Sequence, residues 1–123
     1  MAKILVVDDE TDLREILIAR LTKAGHTVLG AEDGKDAQNV LTRDDVDVVV
    51  CDIRMPRSNG IDFLRWVQQK RSLPVILMTG HTSIAEATDA TALGAAAFLT
   101  KPFDEEDLLA VLERVLRESS SRK

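Results

Sequence analysis

The sequence has little of what marks a secreted or membrane-bound protein. Its 123 residues include a single cysteine, Cys51, which cannot form an internal disulfide and fits a reducing compartment. No apolar run approaches the ~20 residues that cross a bilayer, and residues 1–3 lead directly into a short apolar stretch with no signal peptide ahead of it. We therefore expect a cytoplasmic protein without a membrane anchor, in which Cys51 packs in the core.

Excess positive charge is also absent. Sixteen basic residues against 21 acidic ones give a net charge of −5, and the basic residues are scattered, so a nucleic-acid backbone would be repelled on average. The chain is 45% hydrophobic and 30% charged, which is typical of a globular domain with one core. We expect one domain over residues 1–118 without direct nucleic-acid binding, followed at 119–123 by a polar tail or the start of a linker.

Five short apolar runs predict strands, and helical patterns separate them. The predicted strands span 3–7, 26–29, 46–51, 74–78 and 96–100. Thr11 or Asp12 is expected to cap the first helix, which ends at Gly25, and the second helix is expected to begin at Asp33. A turn is expected at Asn59–Gly60, with the other helices at 61–69, at 83–93 and in the stretch that Asp104 caps. The alternation predicts an α/β fold with a parallel sheet and right-handed crossovers.

Polar residues gather where four of the predicted strands end. They are Asp8, Asp9, Asp52, Thr79 and Lys101, and the carboxyl ends of parallel strands share one edge of a sheet. Singly, Asp52 and Thr79 are explained as turn or helix-capping residues, and Lys101 as a solvated side chain. Three neighbouring carboxylates, however, raise one another's pKa unless a cation neutralises them, and Mg²⁺ accepts such oxygen ligands. A shared proton or a hydrogen-bond network is the alternative to a metal.

A simple metal site does not require Thr79 and Lys101. A hydroxyl and an ammonium fit an anion with several oxygen atoms, whose charge the lysine and a metal ion would share. Phosphate is the anion that fits this combination best.

Four segments carry a resemblance to a known family: Val6–Glu10, Cys51–Pro56, Met78–His81 and Leu99–Phe103. In order and spacing they resemble the receiver domain of two-component response regulators, over residues 3 to about 117. The resemblance implies a flavodoxin-like (βα)5 doubly wound sandwich whose five-stranded parallel sheet has the order 2-1-3-4-5. It also implies a phosphorylation-dependent switch that assists its own phosphorylation and dephosphorylation, not an enzyme that turns over external substrates.

The resemblance assigns roles to the acidic residues. Asp52 would accept a phosphoryl group from a histidine kinase or a phosphotransfer protein. Mg²⁺, or Mn²⁺ in its place, would be held by Asp9, Asp52 and the backbone carbonyl of Arg54, with Asp8 acting through a water molecule.

The switch that the resemblance implies begins at Thr79 and Lys101, which would contact the phosphoryl oxygens. Thr79 would move toward the new group, and Phe98 would turn into the space behind it. Phe98 lacks the hydroxyl of the commoner tyrosine, and plain core packing is its alternative role. The family's peptide before Pro102 is usually cis, which would aim Lys101 inward. The response would be a population shift of the face made by the fourth helix, fifth strand and fifth helix, controlling an output domain or partner protein.

The chain departs from the family pattern in one place and raises a question in another. Many DNA-binding members carry acidic residues of a dimer interface where this chain has Ala95–Ala97, so that charged dimer is not expected, while a phosphorylation-dependent homodimer of another kind stays open. Arg54 and His81 follow Asp52 and Thr79 by two residues. We hypothesise that both line the path of the water that hydrolyses the phosphoryl group, with solvated surface as the alternative.

Two other functions fit the residues less well. A phosphatase with an aspartate nucleophile usually has a second Asp two residues later as general acid, where this chain has Arg54. A flavin carrier of the same fold needs phosphate-binding donors after the first strand, where Asp8–Glu10 would repel a phosphate. The sequence leaves open whether the receiver is free-standing or the first part of a longer regulator with a DNA-binding or ATPase output domain.

Overall fold

The protein folds around one parallel sheet. The computed structural model describes residues 2–53, 60–70, 72–80 and 94–121. The strands are β1 (Lys3–Val7), β2 (Thr27–Ala31), β3 (Val48–Asp52), β4 (Val75–Thr79) and β5 (Ala97–Thr100), all paired in parallel in the order β2-β1-β3-β4-β5. The helices are α1 (Thr11–Lys23), α2 (Gly34–Arg43), α3 (Gly60–Lys70) and a C-terminal helix (Glu105–Ser121). The predicted fold class and strand order are confirmed.

Both faces of the sheet are covered, which explains why the central strands are apolar throughout. On one face, Val49, Cys51 and Leu77 pack with buried residues of α2 and α3. On the other face, Val48 and Val50 pack with buried residues of α1 and the C-terminal helix. Every residue of β3 and β4 is buried. Cys51 therefore lies in the core, as expected.

Helix ends follow the sequence signals in three places. The Asp33 side chain caps α2 by accepting a hydrogen bond from the Asp36 amide at 2.8 Å. Asp104 does the same for the C-terminal helix, accepting from the Asp107 amide at 2.8 Å. Gly25 closes α1 with a φ of 102°, a conformation that suits glycine best.

The predicted cap of α1 is wrong. The N-cap residue is Glu10, whose backbone is extended and whose side chain makes no capping hydrogen bond, and Thr11 is already helical. Capping depends on the backbone conformation of the preceding loop, and Thr11 and Asp12 do not have the extended backbone that an N-cap requires.

The polar residues at the ends of β3 and β4 are paired within the sheet. β3 and β4 each run one residue further than predicted and include Asp52 and Thr79. Asp52 pairs with Met78 and Thr79 with Thr100 in the ladder, because backbone pairing continues whatever the side chain. Both side chains are therefore held on regular strands.

Some predictions lie outside the described residues, including the helix at 83–93. The C-terminal helix continues through Ser121, while the division of the chain at residue 118 stays a prediction. Within the described ranges, no helix combines the length and apolar character that crossing a membrane requires.

Candidate functional site

The sheet brings the predicted site residues to one edge. Asp8 follows β1, Asp52 ends β3, Thr79 ends β4 and Lys101 follows β5, and β1, β3, β4 and β5 are consecutive neighbours in the sheet. Because all strands run the same way, their carboxyl ends meet at this edge. Asp8, Asp52 and Thr79 are buried there, so these polar groups face a protein environment and not bulk water.

Three carboxylates form the acidic part of the site. Asp8, Asp9 and Asp52 each offer an oxygen atom, and the three atoms lie within 4.8 Å of one another. Asp9 is exposed whereas the other two are buried, so the group opens to solvent on one side. Oxygen donors of this kind are what Mg²⁺ prefers. The donor set of this structure therefore fits a magnesium ion.

Lys101 supplies the positive charge of the site. Its Nζ lies 2.9 Å from Oδ2 of Asp52 and 3.4 Å from Oδ2 of Asp8. The Lys101 amide also donates to the carbonyl of Thr79 at 2.7 Å, which holds the end of β5 against the end of β4. The Lys101–Pro102 peptide is cis, as the resemblance implied.

The pKa shifts follow from this arrangement. Burial raises the pKa of Asp8, and the negative charge of Asp52 adds to the increase, although Lys101 and the Glu10 amide oppose it. Burial by itself would lower the pKa of Lys101, but the hydrogen bond to Asp52 and the charges of both carboxylates raise it overall. Lys101 thus stays an ammonium, and among the described residues its one positive charge lies against two carboxyl groups of a cluster of three. A divalent cation would correct that imbalance.

Hydrogen bonds fix the backbone amide, the backbone carbonyl and the side chain of Asp8. Its amide donates to the carbonyl of Ala31 at 3.1 Å, and its Oδ1 accepts from the Glu10 amide at 2.9 Å. Its own carbonyl accepts a hydrogen bond at 2.6 Å from the guanidinium of Arg14. We did not predict Arg14 from the sequence, because nothing in the α1 pattern shows that its side chain folds back onto the loop.

Gly60 is a second residue of the site that we did not assign to it from the sequence. Its amide donates to the Ile53 carbonyl at 2.7 Å, and a methyl group at its Cα would lie 2.5 Å from the backbone oxygen of Asp52. The sequence marked Gly60 only as part of a turn. Its closeness to Asp52 depends on how α3 packs beneath β3.

The two predicted switch residues lie on one face of neighbouring strands. Leu77 pairs with Phe98 in the β4–β5 ladder, and both belong to the cluster on the α2–α3 face. Thr79 is two residues beyond Leu77, so strand alternation places it on the same face. Phe98 is only partly buried, whereas Thr79 is almost completely buried.

Arg54 and His81 lie outside the described residues, so their predicted roles stay predictions. Cys51 is buried beside Asp52, and burial together with the charges of Asp52 and Asp8 raises the pKa of its thiol. The thiol therefore stays protonated.

Comparisons with known proteins show the family of this chain. The family model of the response regulator receiver domain matches residues 4–113. The chain is 40% identical over 119 residues to the transcriptional regulatory protein CpxR of Klebsiella pneumoniae and 38% identical over 120 residues to the transcriptional regulatory protein GlrR of Escherichia coli K12. These matches cover 97% of this chain but 51% and 27% of those proteins, so the chain spans about half of their length or less.

A solved structure agrees over nearly its whole length. The chemotaxis protein CheY4 of Vibrio cholerae superposes with a TM-score of 0.88 at 36% identity, covering 94% of this chain and 98% of that one. This chain belongs to the response regulator receiver family. Receiver domains act in two-component signalling as phosphorylation-dependent switches and bind Mg²⁺ at an acidic pocket.

Proposed function

We propose that this chain is a signalling switch in which Asp52 accepts one phosphoryl group from a histidine kinase or a phosphotransfer protein. The observation that carries the proposal is the position of Lys101, whose Nζ lies 2.9 Å from Asp52 and 3.4 Å from Asp8. A cation held between two buried carboxylates, with Asp9 beside them, suits an anion that arrives at Asp52.

The acidic residues would hold the metal ion. Asp9 and Asp52 would bind Mg²⁺ directly, and Asp8 through a water molecule, together with the backbone carbonyl of Arg54. Bound Mg²⁺ supplies positive charge against the phosphoryl oxygens. The three carboxylate oxygens within 4.8 Å of one another support this assignment.

Asp52 acts as the nucleophile in the proposed transfer. One of its carboxylate oxygens forms the new bond to phosphorus while the bond from phosphorus to the donor's histidine nitrogen breaks, and the imidazole keeps that electron pair. The Lys101 ammonium, already against Asp52, would shift to share its charge with the phosphoryl oxygens. The Thr79 hydroxyl would donate a hydrogen bond to one of them.

The acyl phosphate formed on Asp52 would add negative charge and hydrogen-bond acceptors to the site. It carries up to about two negative charges and three strong acceptors, so Lys101 and Thr79 are drawn toward it. Thr79 and Phe98 share one face of β4 and β5, so a movement of Thr79 changes the packing space of Phe98. We propose that this shift reaches the face formed with β5 and the C-terminal helix, and controls an output domain or a partner protein.

Labelling by a small phosphodonor tests the assignment of Asp52. The chain is incubated with Mg²⁺ and acetyl phosphate, and intact mass should show one added phosphoryl group. Asp52→Asn should show none, while Asp62→Asn, which removes an exposed acid from α3, should label like the parent. Equal labelling of Asp52→Asn, or labelling that persists when EDTA removes the metal, contradicts the proposal.

A further inference from the structure

Arg14 connects helix α1 to the acidic loop. Its guanidinium Nη1 donates to the main-chain carbonyl of Asp8 at 2.6 Å. The helix begins one residue after Glu10 without a side-chain cap from that residue. The loop that carries the two adjacent acids is therefore held at the Asp8 carbonyl by an arginine from the first turn of the helix that follows it.

The carbonyl is the backbone group of Asp8 that Arg14 holds, since other residues bond to the amide and the side chain. The Asp8 amide is bonded to Ala31, and Oδ1 to the Glu10 amide. The carbonyl that Arg14 contacts belongs to the peptide that joins Asp8 to Asp9. Since a peptide unit is planar, holding this carbonyl also sets the direction in which the chain enters Asp9.

Asp9 depends on that direction more than its neighbours do. Its side chain is exposed, and within the described ranges its carboxylate accepts no hydrogen bond. Asp8 and Asp52, by contrast, are both held by Lys101. Backbone orientation is thus the main constraint that the described residues place on Asp9.

The absence of a side chain at Gly30 leaves space for the Arg14 side chain over β2. A methyl group on Gly30 of β2 would lie 3.4 Å from Cδ of Arg14 and 2.9 Å from Cδ1 of Ile18. The stem of Arg14 therefore crosses β2 at a position without a side chain. Packing along this stem limits the rotamers that Arg14 can adopt and keeps its guanidinium at the loop.

We propose that Arg14 is a positioning residue for Mg²⁺: by holding the carbonyl of Asp8 it orients the Asp8–Asp9 peptide and keeps the Asp9 carboxylate beside Asp52. The inference rests on the proposed function, because it concerns the metal site of that function. Residues that hold metal ligands in place typically change metal affinity by about 10- to 100-fold when removed. Arg14 acts on the backbone of a ligand, so we expect the low end of that range.

The test compares two substitutions that remove the same charge from the same helix. Arg14→Met keeps an apolar stem over Gly30 and removes the donor, while Arg20→Met changes an exposed arginine. Titration calorimetry with Mg²⁺ should show a dissociation constant raised about tenfold in Arg14→Met and unchanged in Arg20→Met. Arg14→Lys, which keeps a cationic donor in a different geometry, should lie between Arg14→Met and the parent.

A second measurement distinguishes weaker Mg²⁺ binding from a general loss of structure or activity. Labelling by acetyl phosphate should need about ten times more Mg²⁺ for half-maximal rate in Arg14→Met, but should reach the parent's rate when Mg²⁺ is saturating. A dissociation constant equal to the parent's in Arg14→Met, or an equal weakening in Arg20→Met, would overturn the inference. If Arg14→Met does not fold, Arg14→Lys decides, and affinity equal to the parent's overturns the inference.

Different results would contradict the proposed function itself. It is contradicted if the parent binds no Mg²⁺ or if Asp9→Asn binds Mg²⁺ as tightly as the parent, and the inference on Arg14 then falls with it. Where the parent binds Mg²⁺ and labels at Asp52 while Arg14→Met binds equally well, only the role of Arg14 is lost.

Discussion

Gly60 approaches Asp52 so closely that a methyl group on Gly60 would lie 2.5 Å from the backbone oxygen of Asp52 and 2.8 Å from Cα of Ile53. Both obstructing atoms belong to the backbone, which cannot turn aside as a flexible side chain can. The first turn of α3 therefore lies directly against the end of β3, and the position of the proposed phosphoacceptor depends on a residue without a side chain.

Gly60→Ala should destabilise the protein and disturb the site. Overpacking of this kind costs about 1–3 kcal/mol of unfolding free energy, to be measured by urea denaturation. Gly80→Ala is the matched control, since a methyl group there meets nothing within 4 Å, and it should stay within about 0.5 kcal/mol of the parent. Equal stability of the two variants would contradict the close approach.

Lys101→Met should lower the unfolding free energy at neutral pH by about 1.5–3 kcal/mol, because it leaves the carboxyl groups of Asp8 and Asp52 without their cation. The raised pKa of Lys101 means that its stabilising contribution is complete below the ordinary lysine pKa and disappears as pH rises through the folded-state value. The difference between parent and variant should therefore shrink at strongly alkaline pH. A difference that is constant from neutral to alkaline pH would count against this ion pair.

Asp8→Asn should stabilise the metal-free protein at neutral pH. The pKa of Asp8 is raised in the folded state, so the folded protein binds this proton more tightly than the unfolded chain and loses stability as pH rises through the raised value. The variant lacks that loss, so its advantage should vanish in acid, below the ordinary aspartate pKa of about 3.9. Urea denaturation at several pH values without metal measures it, and a parent that is more stable than the variant at neutral pH would refute it.

Mg²⁺ should raise the melting temperature of the parent, because the carboxylates proposed to bind it are brought together only in the folded protein. The rise should grow with Mg²⁺ concentration and should be largely lost in Asp9→Asn. Asp62→Asn, which changes an exposed acid of α3, should respond like the parent. A rise of the same size in Asp9→Asn would mean that Mg²⁺ stabilises the protein from another place.

Thr79→Val should separate phosphorylation from its consequence. Valine has nearly the shape of threonine but no hydroxyl, so Asp52 should still be labelled while the response at β5 and the C-terminal helix is weakened. Amide chemical shifts of those elements, before and after labelling, measure the response. Thr79→Ser keeps the hydroxyl and should respond like the parent. A full response in Thr79→Val would exclude the hydroxyl from the switch.

Local signals in the sequence were reliable where the physics is local. Asp33 and Asp104 cap the helices that they precede, and Gly25 ends α1, because each depends on a few neighbouring residues. The same approach was wrong for α1, where Thr11 and Asp12 looked like caps and Glu10 is the N-cap residue. That loop is held by the carbonyl of Ala31, which β2 brings to the Asp8 amide.

The order of polar and apolar residues along the chain was enough to determine the parallel α/β fold and the set of side chains at the carboxyl edge, since a buried strand must be apolar and parallel strands end together. Only the packed molecule decided how those side chains meet. Lys101 lies against Asp52 and Asp8 because β5, β4, β3 and β1 are neighbours with a particular register. Contacts such as that of the Asp8 amide with the Ala31 carbonyl of β2 depend on distances between separate elements, which no local pattern encodes.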